Sequence, residues 1–348
     1  MDKNIDLKTP ENVARLYNGI RSSELYNIPR PVKKENRVSV MVAFTPNPYL
    51  ALHFFDHMKN WIGDVDEVFI AVEGENTKFN GEIKNFISNL FLHNKISNFE
   101  YGQPMDQGEV FDKMFPFVTG DILVTMDSDY IIKKRGYLKK YLKQIESGTY
   151  DIIGSRGGAC YKELRAFLDP YVAHDKDKNL RVNPFLSFWK VETLKKIVGL
   201  SFAGKEIKKG DIIFPKAEVK APADGWVDPF VLAYLAYTEY DKKIFITKQD
   251  AEPPDTFHYS GMSWTYRYYL SNENGLTPDG TLVGNKFKLR IFHLALHIAL
   301  YENYRGRYPD KEYNDFVGET LEQHRGFAKD HKQLLEDDIK IFNAIIKL

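Results

Sequence analysis

Two carboxylates one residue apart, Asp127 and Asp129 on either side of Ser128, close the apolar run Ile122-Leu123-Val124-Thr125-Met126. Like charges this close raise one another's pKa, so the pair is costly unless a cation or several donors neutralise it. A divalent metal is the economical answer. Oxygen ligands favour Mg2+ or Mn2+ over zinc, and Mg2+ typically joins one or two protein carboxylates to substrate phosphates. Alone, the same residues serve equally well as the start of a polar loop. The element that must carry them is a strand: a short β-prone run after the turn Thr119-Gly120-Asp121 fits a strand covered on both faces. Ligands of open α/β sheets bind where such strands end.

The bulk of the chain narrows the function classes. At 348 residues, 43% apolar and 28% charged, it can bury a substantial core and is ordinary for a globular protein. Lys plus Arg and Asp plus Glu both total 48, so no global charge footprint points to nucleic acid or an anionic membrane. The single cysteine, Cys160, excludes an internal disulfide framework and fits a reducing compartment. The first residues lack the apolar segment of a secretory signal. No apolar run is long enough to span a bilayer; the nearest, 291–301, contains His293 and His297. A soluble, cytoplasmic protein is expected.

Helical and extended patterns alternate along the chain. A peripheral helix near 11–25 and a Pro-punctuated basic linker to residue 36 precede strands at 38–44, 67–72 and 96–101. Helices at 49–61, 81–92 and 108–117 separate these from the strand that carries the acidic pair. This alternation implies parallel βαβ units in a doubly wound, mostly parallel α/β sheet. Further on come a helix at 136–147, strands at 150–154 and 184–190, and a helix at 191–198. The stretch 157–183 is irregular and polar, as segments that cover a substrate site often are. A helix is expected at 230–240, with Asp228 at its cap and Pro229 in its first turn. From 287 to 301 and from 311 to 347 the chain reads as helix, and the second face would pack equally well on the core or on a second subunit of a homo-oligomer.

With these pieces placed, the chain resembles the GT-A-fold glycosyltransferases, which are Rossmann-like, and especially their inverting class called family two. The segment 118–129, Val-Thr-Gly-Asp-Ile-Leu-Val-Thr-Met-Asp-Ser-Asp, is its most specific match. Residues 38–49 look like the family's first nucleotide-binding strand and turn. Residues 67–75 look like the second, although Glu73-Gly74-Glu75 stands where Asp-Asp-Gly-Ser is usual. Residues 183–202 look like the segment after the donor site. Trp226-Val227-Asp228 stands where the family carries Glu-Asp, whose Asp deprotonates the acceptor. His258-Tyr259-Ser260-Gly261 resembles the late histidine that completes the metal site in several such enzymes, retaining ones included.

The resemblance covers 38–265 and implies a GT-A domain at 37–284, with its nucleotide-sugar half to about 130 and its acceptor half from 131. Residues 1–36 form an N-terminal helix and linker, and 285–348 a C-terminal helical extension. It further implies transfer of a hexosyl or pentosyl group from a nucleoside-diphosphate sugar to an acceptor hydroxyl on a glycan, lipid, small molecule or polymer. Mn2+ or Mg2+ would be held by Asp127, Asp129 and His258, and the donor by Phe44, Thr45, Glu73, Lys113, Asp127 and Ser128. Asp228 would be the base, with Asp224 as its fallback, and Trp189, Trp226 and Trp264 would stack on the acceptor. Each has a plainer reading: a helix cap for Asp228, core packing for the tryptophans and His258, solvated charge for the lysines. His293 and His297 lack the Glu of His-Glu-x-x-His, which favours packing. Three rival functions remain: a retaining GT-A enzyme, a non-catalytic nucleotide- or carbohydrate-binding protein, and an Asp-x-Asp phosphatase-like hydrolase. The hydrolase motif normally closes the first strand of its domain, whereas here three strands precede it.

Overall fold

Alternation of side chains decides which layer each central strand feeds. The first strand, β1 (Val38–Phe44), sends Val38, Val40, Val42 and Phe44 into one apolar layer and Met41 and Ala43 into the other. The computed structural model describes residues 37–44, 48–72, 96–100, 107–156, 182–241, 243–247, 251–252, 254–259, 285–306, 311, 314–315, 317–319, 321–322, 336, 339–340 and 343. The expected helices near 11–25 and 81–92, most of the polar stretch 157–183 with Cys160, and Thr45, Glu73 and Trp264 lie outside the described residues.

Strands β2 (Glu67–Val72) and β4 (Ile122–Asp127) flank β1 in parallel, and β3 (Ile96–Glu100) lies beyond β2. Strand β7 (Val182–Lys190) runs antiparallel between β4 and β6 (Ile152–Arg156), and β12 (Ile244–Thr247) pairs in parallel with β6. The order β12-β6-β7-β4-β1-β2-β3 makes a seven-stranded, mostly parallel sheet. On one face lie α1 (Pro48–Met58), α3 (Tyr137–Glu146) and α6 (Asn285–Tyr304), which contribute Leu50, Phe54, Leu138, Leu142, Leu296 and Leu300 to the core. On the other lie α2 (Gln107–Met114), α4 (Val191–Lys196) and α5 (Val231–Thr238), with Phe111, Met114, Leu194 and Tyr234. This is the doubly wound α/β architecture that the sequence pattern implies, with helices covering both faces.

The C-terminal helix packs on the core. Tyr301 meets Tyr49 of α1 edge-on at 5.6 Å, the Tyr49 hydroxyl donates to Asn314 Oδ1 at 2.7 Å, and His297 is buried within the helix's apolar face. Among the described residues no helix is long and apolar enough to cross a membrane.

Several short strands escape the sequence pattern: β5 (Tyr130–Ile132), β8 (Lys205–Ile207), β9 (Ile212–Phe214), β10 (Val219–Lys220), β11 (Gly225–Val227) and β13 (Thr256–His258). Two or three residues complete at most one cycle of alternation, so periodicity has nothing to register.

The turn before β4 pins the starts of three strands. Thr119 donates to Glu67 of β2 through its amide at 2.7 Å and its hydroxyl at 2.9 Å, and the Gly120 amide donates to Ser39 Oγ of β1 at 2.9 Å. Asp121 Oδ2 accepts the Arg37 amide at 2.9 Å. A Cβ on Gly120 would fall 2.3 Å from Ser39 Oγ and 2.9 Å from the Arg37 carbonyl oxygen, so the turn closes only around glycine. Gly120→Ala is therefore expected to cost about 1–3 kcal/mol of stability, the range for overpacking a tight site. Urea unfolding measures it, and a midpoint unchanged from wild type would contradict the close fit.

Candidate metal centre

Strand parity aims the first carboxylate. On β4, Ile122, Val124 and Met126 enter the layer of α1, while Leu123 enters that of α2, and Asp127 follows Leu123 by the same alternation. Asp127 is also the last residue of β4, level with Ala43 of β1, at the edge where the parallel strands end. There Gln107, the first residue of α2, donates from Nε2 to Asp127 Oδ1.

A second ribbon brings the other ligands. After Ser128 the chain forms β5, which pairs antiparallel with β13 and places Tyr130 opposite His258. His258 Nε2 thereby comes 3.3 Å from Asp129 Oδ1, with the two side chains only 2% and 4% exposed. The Tyr259 amide donates to the Asp129 carbonyl at 3.0 Å and closes the ribbon. One ligand atom from each of Asp127, Asp129 and His258 lies within 4.8 Å of the others. The imidazole packs on Phe185, at a centroid distance of 4.0 Å, and on Tyr130, at 5.7 Å, which fixes its plane.

Burial, and then the charge of Asp129, push the Asp127 carboxyl up to about 7; His258 and the Gln107 hydrogen bond oppose this. Two carboxylates with one imidazole make an incomplete set of donors for a divalent cation, with positions left for substrate oxygens. Carboxylates and imidazole together suit Mn2+, whereas Mg2+ prefers oxygen alone. The residues therefore fit a metal, and the clustered charge is the physical reason one would bind.

Gln107 owes its place to the glycine after it. A Cβ on Gly108 would lie 1.9 Å from the Phe202 carbonyl oxygen and 2.6 Å from Ala203 Cα, so α2 can lie against this loop only with glycine there. Asp112 locks the contact by accepting from Ser201 Oγ and the Phe202 amide, both at 2.6 Å. Gln107 belongs to no motif, and Gly108 is the sequence signal that could have located it.

The remaining candidates divide. Ser128 is buried in the turn between the two acids. Asp228 does not cap α5: Phe230 occupies that position at φ 71, and the Asp228 carbonyl accepts the Val231 amide at 3.3 Å. The next residues continue the contact with α2, because the Phe230 amide donates to the Phe202 carbonyl at 2.8 Å and its ring meets Phe111 at 5.1 Å. Trp226 is 53% exposed on β11, next to this loop. Asp224 is exposed and accepts the Lys209 amide at 2.7 Å, which explains it as a turn residue.

Two expectations are corrected. Trp189 is fully buried, with Nε1 donating to Ser187 Oγ at 2.7 Å and its ring edge-on to Tyr237 at 5.4 Å, so it is core and no acceptor platform. The Phe44 ring, which enters the α1 layer by parity, packs on Phe54 at 4.9 Å and Phe55 at 5.4 Å and is not exposed to a donor. Lys113 is exposed near the far end of α2, six residues and about 9 Å along the axis from Gln107. Lys134, near enough in sequence to help with phosphates, pairs with Asp255 at 2.7 Å.

No protein-family model and no curated protein matches the chain. Among solved structures it is similar to mannosyltransferase PcManGT from Pyrobaculum calidifontis in complex with GDP-Man and Mn2+, at 13% identity over 97% of this chain and 99% of that one, with a TM-score of 0.42. It is similar to S. aureus TarS 1–349 at 12% identity over 89% and 90% of the two chains, with a TM-score of 0.39. Glucosyl-3-phosphoglycerate synthase from Mycobacterium tuberculosis, in complex with Mn2+, UDP-Glc and glycerol 3-phosphate, shares 15% identity over 56% of this chain and 65% of that one, with a TM-score of 0.35. The chemistry assigned to this chain rests on its own side chains.

Proposed function

We propose that the protein is a metal-dependent glycosyltransferase that uses a nucleoside-diphosphate sugar as donor and an acceptor hydroxyl as nucleophile. The observation that carries the reading is the convergence of Asp127, Asp129 and His258 at the ends of the sheet strands, with ligand atoms within 4.8 Å of one another. Asp127, Asp129 and His258 would hold Mn2+, and Mg2+ is the second ion to test. When bound, such an ion acts as a Lewis acid that stabilises negative charge on a leaving diphosphate.

Asp228 is the proposed base of an inverting reaction. The acceptor oxygen forms a bond to the anomeric carbon, its proton passes to the Asp228 carboxylate, and the bond from that carbon to the diphosphate oxygen breaks with its electron pair on the diphosphate. Support for this place comes from the loop that carries Asp228, which shares Phe202 with the Gln107 end of α2. The exposed Trp226 ring offers an apolar face to an acceptor sugar. Residues 37–284 form the proposed catalytic unit with 285–348 as its helical extension, and the single cysteine supports a reducing, cytoplasmic setting.

Titration calorimetry with Mn2+ and a panel of nucleoside diphosphates tests the reading. Wild type is expected to bind one of them in a Mn2+-dependent way and Asp129→Ala to lose that binding; no Mn2+-linked binding of any member would reject it. Asp228→Asn is expected to retain donor binding while transfer falls about 10²–10⁴-fold, the usual weight of a general base. Transfer at the wild-type rate would remove Asp228 from the mechanism and favour a retaining one.

A pH dependence also follows. The folded-state pKa of Asp127 is raised, so in the metal-free protein its share of stability is present at low pH and is lost as pH rises through about 7. Mn2+ requires the ionised carboxylate, so its affinity runs the other way, falling up to about tenfold per pH unit below 7 and levelling off above. The rise in melting temperature on adding Mn2+ should therefore be larger at pH 8 than at pH 5.5. An equal rise at both would show that Asp127 does not give up a proton to the metal.

A further inference from the structure

We infer that His53 is a positioning residue of the metal centre, and that through it the C-terminal helix α6 helps hold His258 and Asp129 in place. The inference rests on the metal-binding reading of Asp127, Asp129 and His258. His53 lies on α1, fully buried, in a part of the chain that supplies no ligand. Its Nε2 is 2.8 Å from the Tyr259 hydroxyl, and its Nδ1 is 2.8 Å from the Tyr304 hydroxyl at the end of α6. Tyr304 in turn donates to Asp56 Oδ2 at 3.0 Å.

The proton count gives this chain of contacts one direction. An ionised carboxylate only accepts, and a phenol has a single proton. Tyr304 gives its proton to Asp56, so its oxygen can only accept from His53, which must carry hydrogen on Nδ1. In the neutral ring Nε2 is then a lone pair that accepts the Tyr259 O–H. A single neutral tautomer satisfies all four groups, and the carboxylate at the far end selects it. A hydrogen-bonded chain of this kind, buried at low dielectric, resists rearrangement more than its members would separately.

Tyr259 joins this chain to the metal centre. It directly follows His258, and its amide donates to the carbonyl of Asp129 at 3.0 Å, so one residue touches the backbone of one ligand and is bonded to the other. Its ring is fully buried, edge-on to Phe257 at 4.7 Å and to His53 at 5.4 Å. With the ring packed and the hydroxyl anchored on His53, the Tyr259 backbone cannot turn without breaking one of these contacts. The distance between His258 and Asp129 is thus set partly by α1 and α6. Outer groups that orient ligands in this way commonly matter about 10–100-fold for metal affinity.

The test uses the full-length protein and Mn2+ itself, followed by electron paramagnetic resonance of the free ion, with amide hydrogen exchange of residues 256–259 measured without metal. Tyr259→Phe removes only the hydroxyl, His53→Asn retains a polar group near the Nδ1 position alone, and His53→Gln retains an acceptor near the Nε2 position. Tyr259→Phe and His53→Asn are expected to weaken Mn2+ binding about tenfold, the lower end for such groups, and to speed exchange of the Tyr259 amide. His53→Gln, which keeps the acceptor for Tyr259 but loses the link to Tyr304, should fall between wild type and His53→Asn on both counts; a Gln variant equal to wild type would remove α6 from the chain of contacts. A purely structural role would lower the melting temperature and leave the affinity of the folded protein unchanged. Unchanged affinity in Tyr259→Phe overturns the inference, and this variant decides the matter if those at His53 do not fold. A Gln variant as weak as the Asn variant overturns it as well. Wild type that binds no Mn2+ rejects the metal reading, and this inference with it.

Discussion

The candidate site depends on one short pairing, the antiparallel ribbon of β5 and β13. Asp127 and Asp129 arrive together from the end of β4, but His258 comes from a distant segment and has no other route to them. The register that sets Tyr130 opposite His258 places the imidazole 3.3 Å from Asp129, and the Tyr259 amide bond to the Asp129 carbonyl holds that register at its end. A slip of one residue would turn His258 to the other face of the ribbon. Three-residue strands make few hydrogen bonds, so their register has to be enforced from outside, by the packing of Phe185 and Phe257 and by the anchoring of Tyr259.

The electrostatics then follow. Burying two carboxylates side by side is unfavourable, and among the described residues an amide and an imidazole are set against it; burial and the neighbouring Asp129 raise the Asp127 carboxyl to about 7. Such a centre favours a cation. The device that aims Gln107 is steric: Gly108 lets α2 lie against Phe202, and Asp112 ties down the same loop. Because Phe230 rests on that loop, the segment carrying Asp228 is built on the support that orients Asp127. Donor and acceptor functions would thus share one scaffold.

The sheet and the acidic pair were legible because long apolar strands and the Thr119-Gly120-Asp121 turn leave strong local signals. Parity along β4 even determines which helix layer Asp127 faces. His258 could be suspected only through its resemblance to a family motif, since β13 is too short for periodicity to register. His53 left no trace and Gln107 only the glycine that follows it, since each acts through one side-chain geometry that depends on packing between elements far apart in sequence. Two of the aromatic assignments failed for a related reason. Trp189 and Phe44 sit near strand ends, where residue type alone cannot tell a ligand platform from core, and their burial decides for core. Asp228 looked like a helix cap because Pro229 follows it; a left-handed Phe230 moves the start of α5 beyond its reach.

The most direct test of the account is an anomalous difference map at the manganese edge, from crystals grown with Mn2+ and a nucleoside diphosphate. A single strong peak is expected within bonding distance of Asp129 and His258, with Asp127 in contact directly or through one water and diphosphate oxygens completing the shell. A peak elsewhere, or none here while His258 and Asp129 stay paired to each other, would contradict the account and leave the cluster as a structural ion pair.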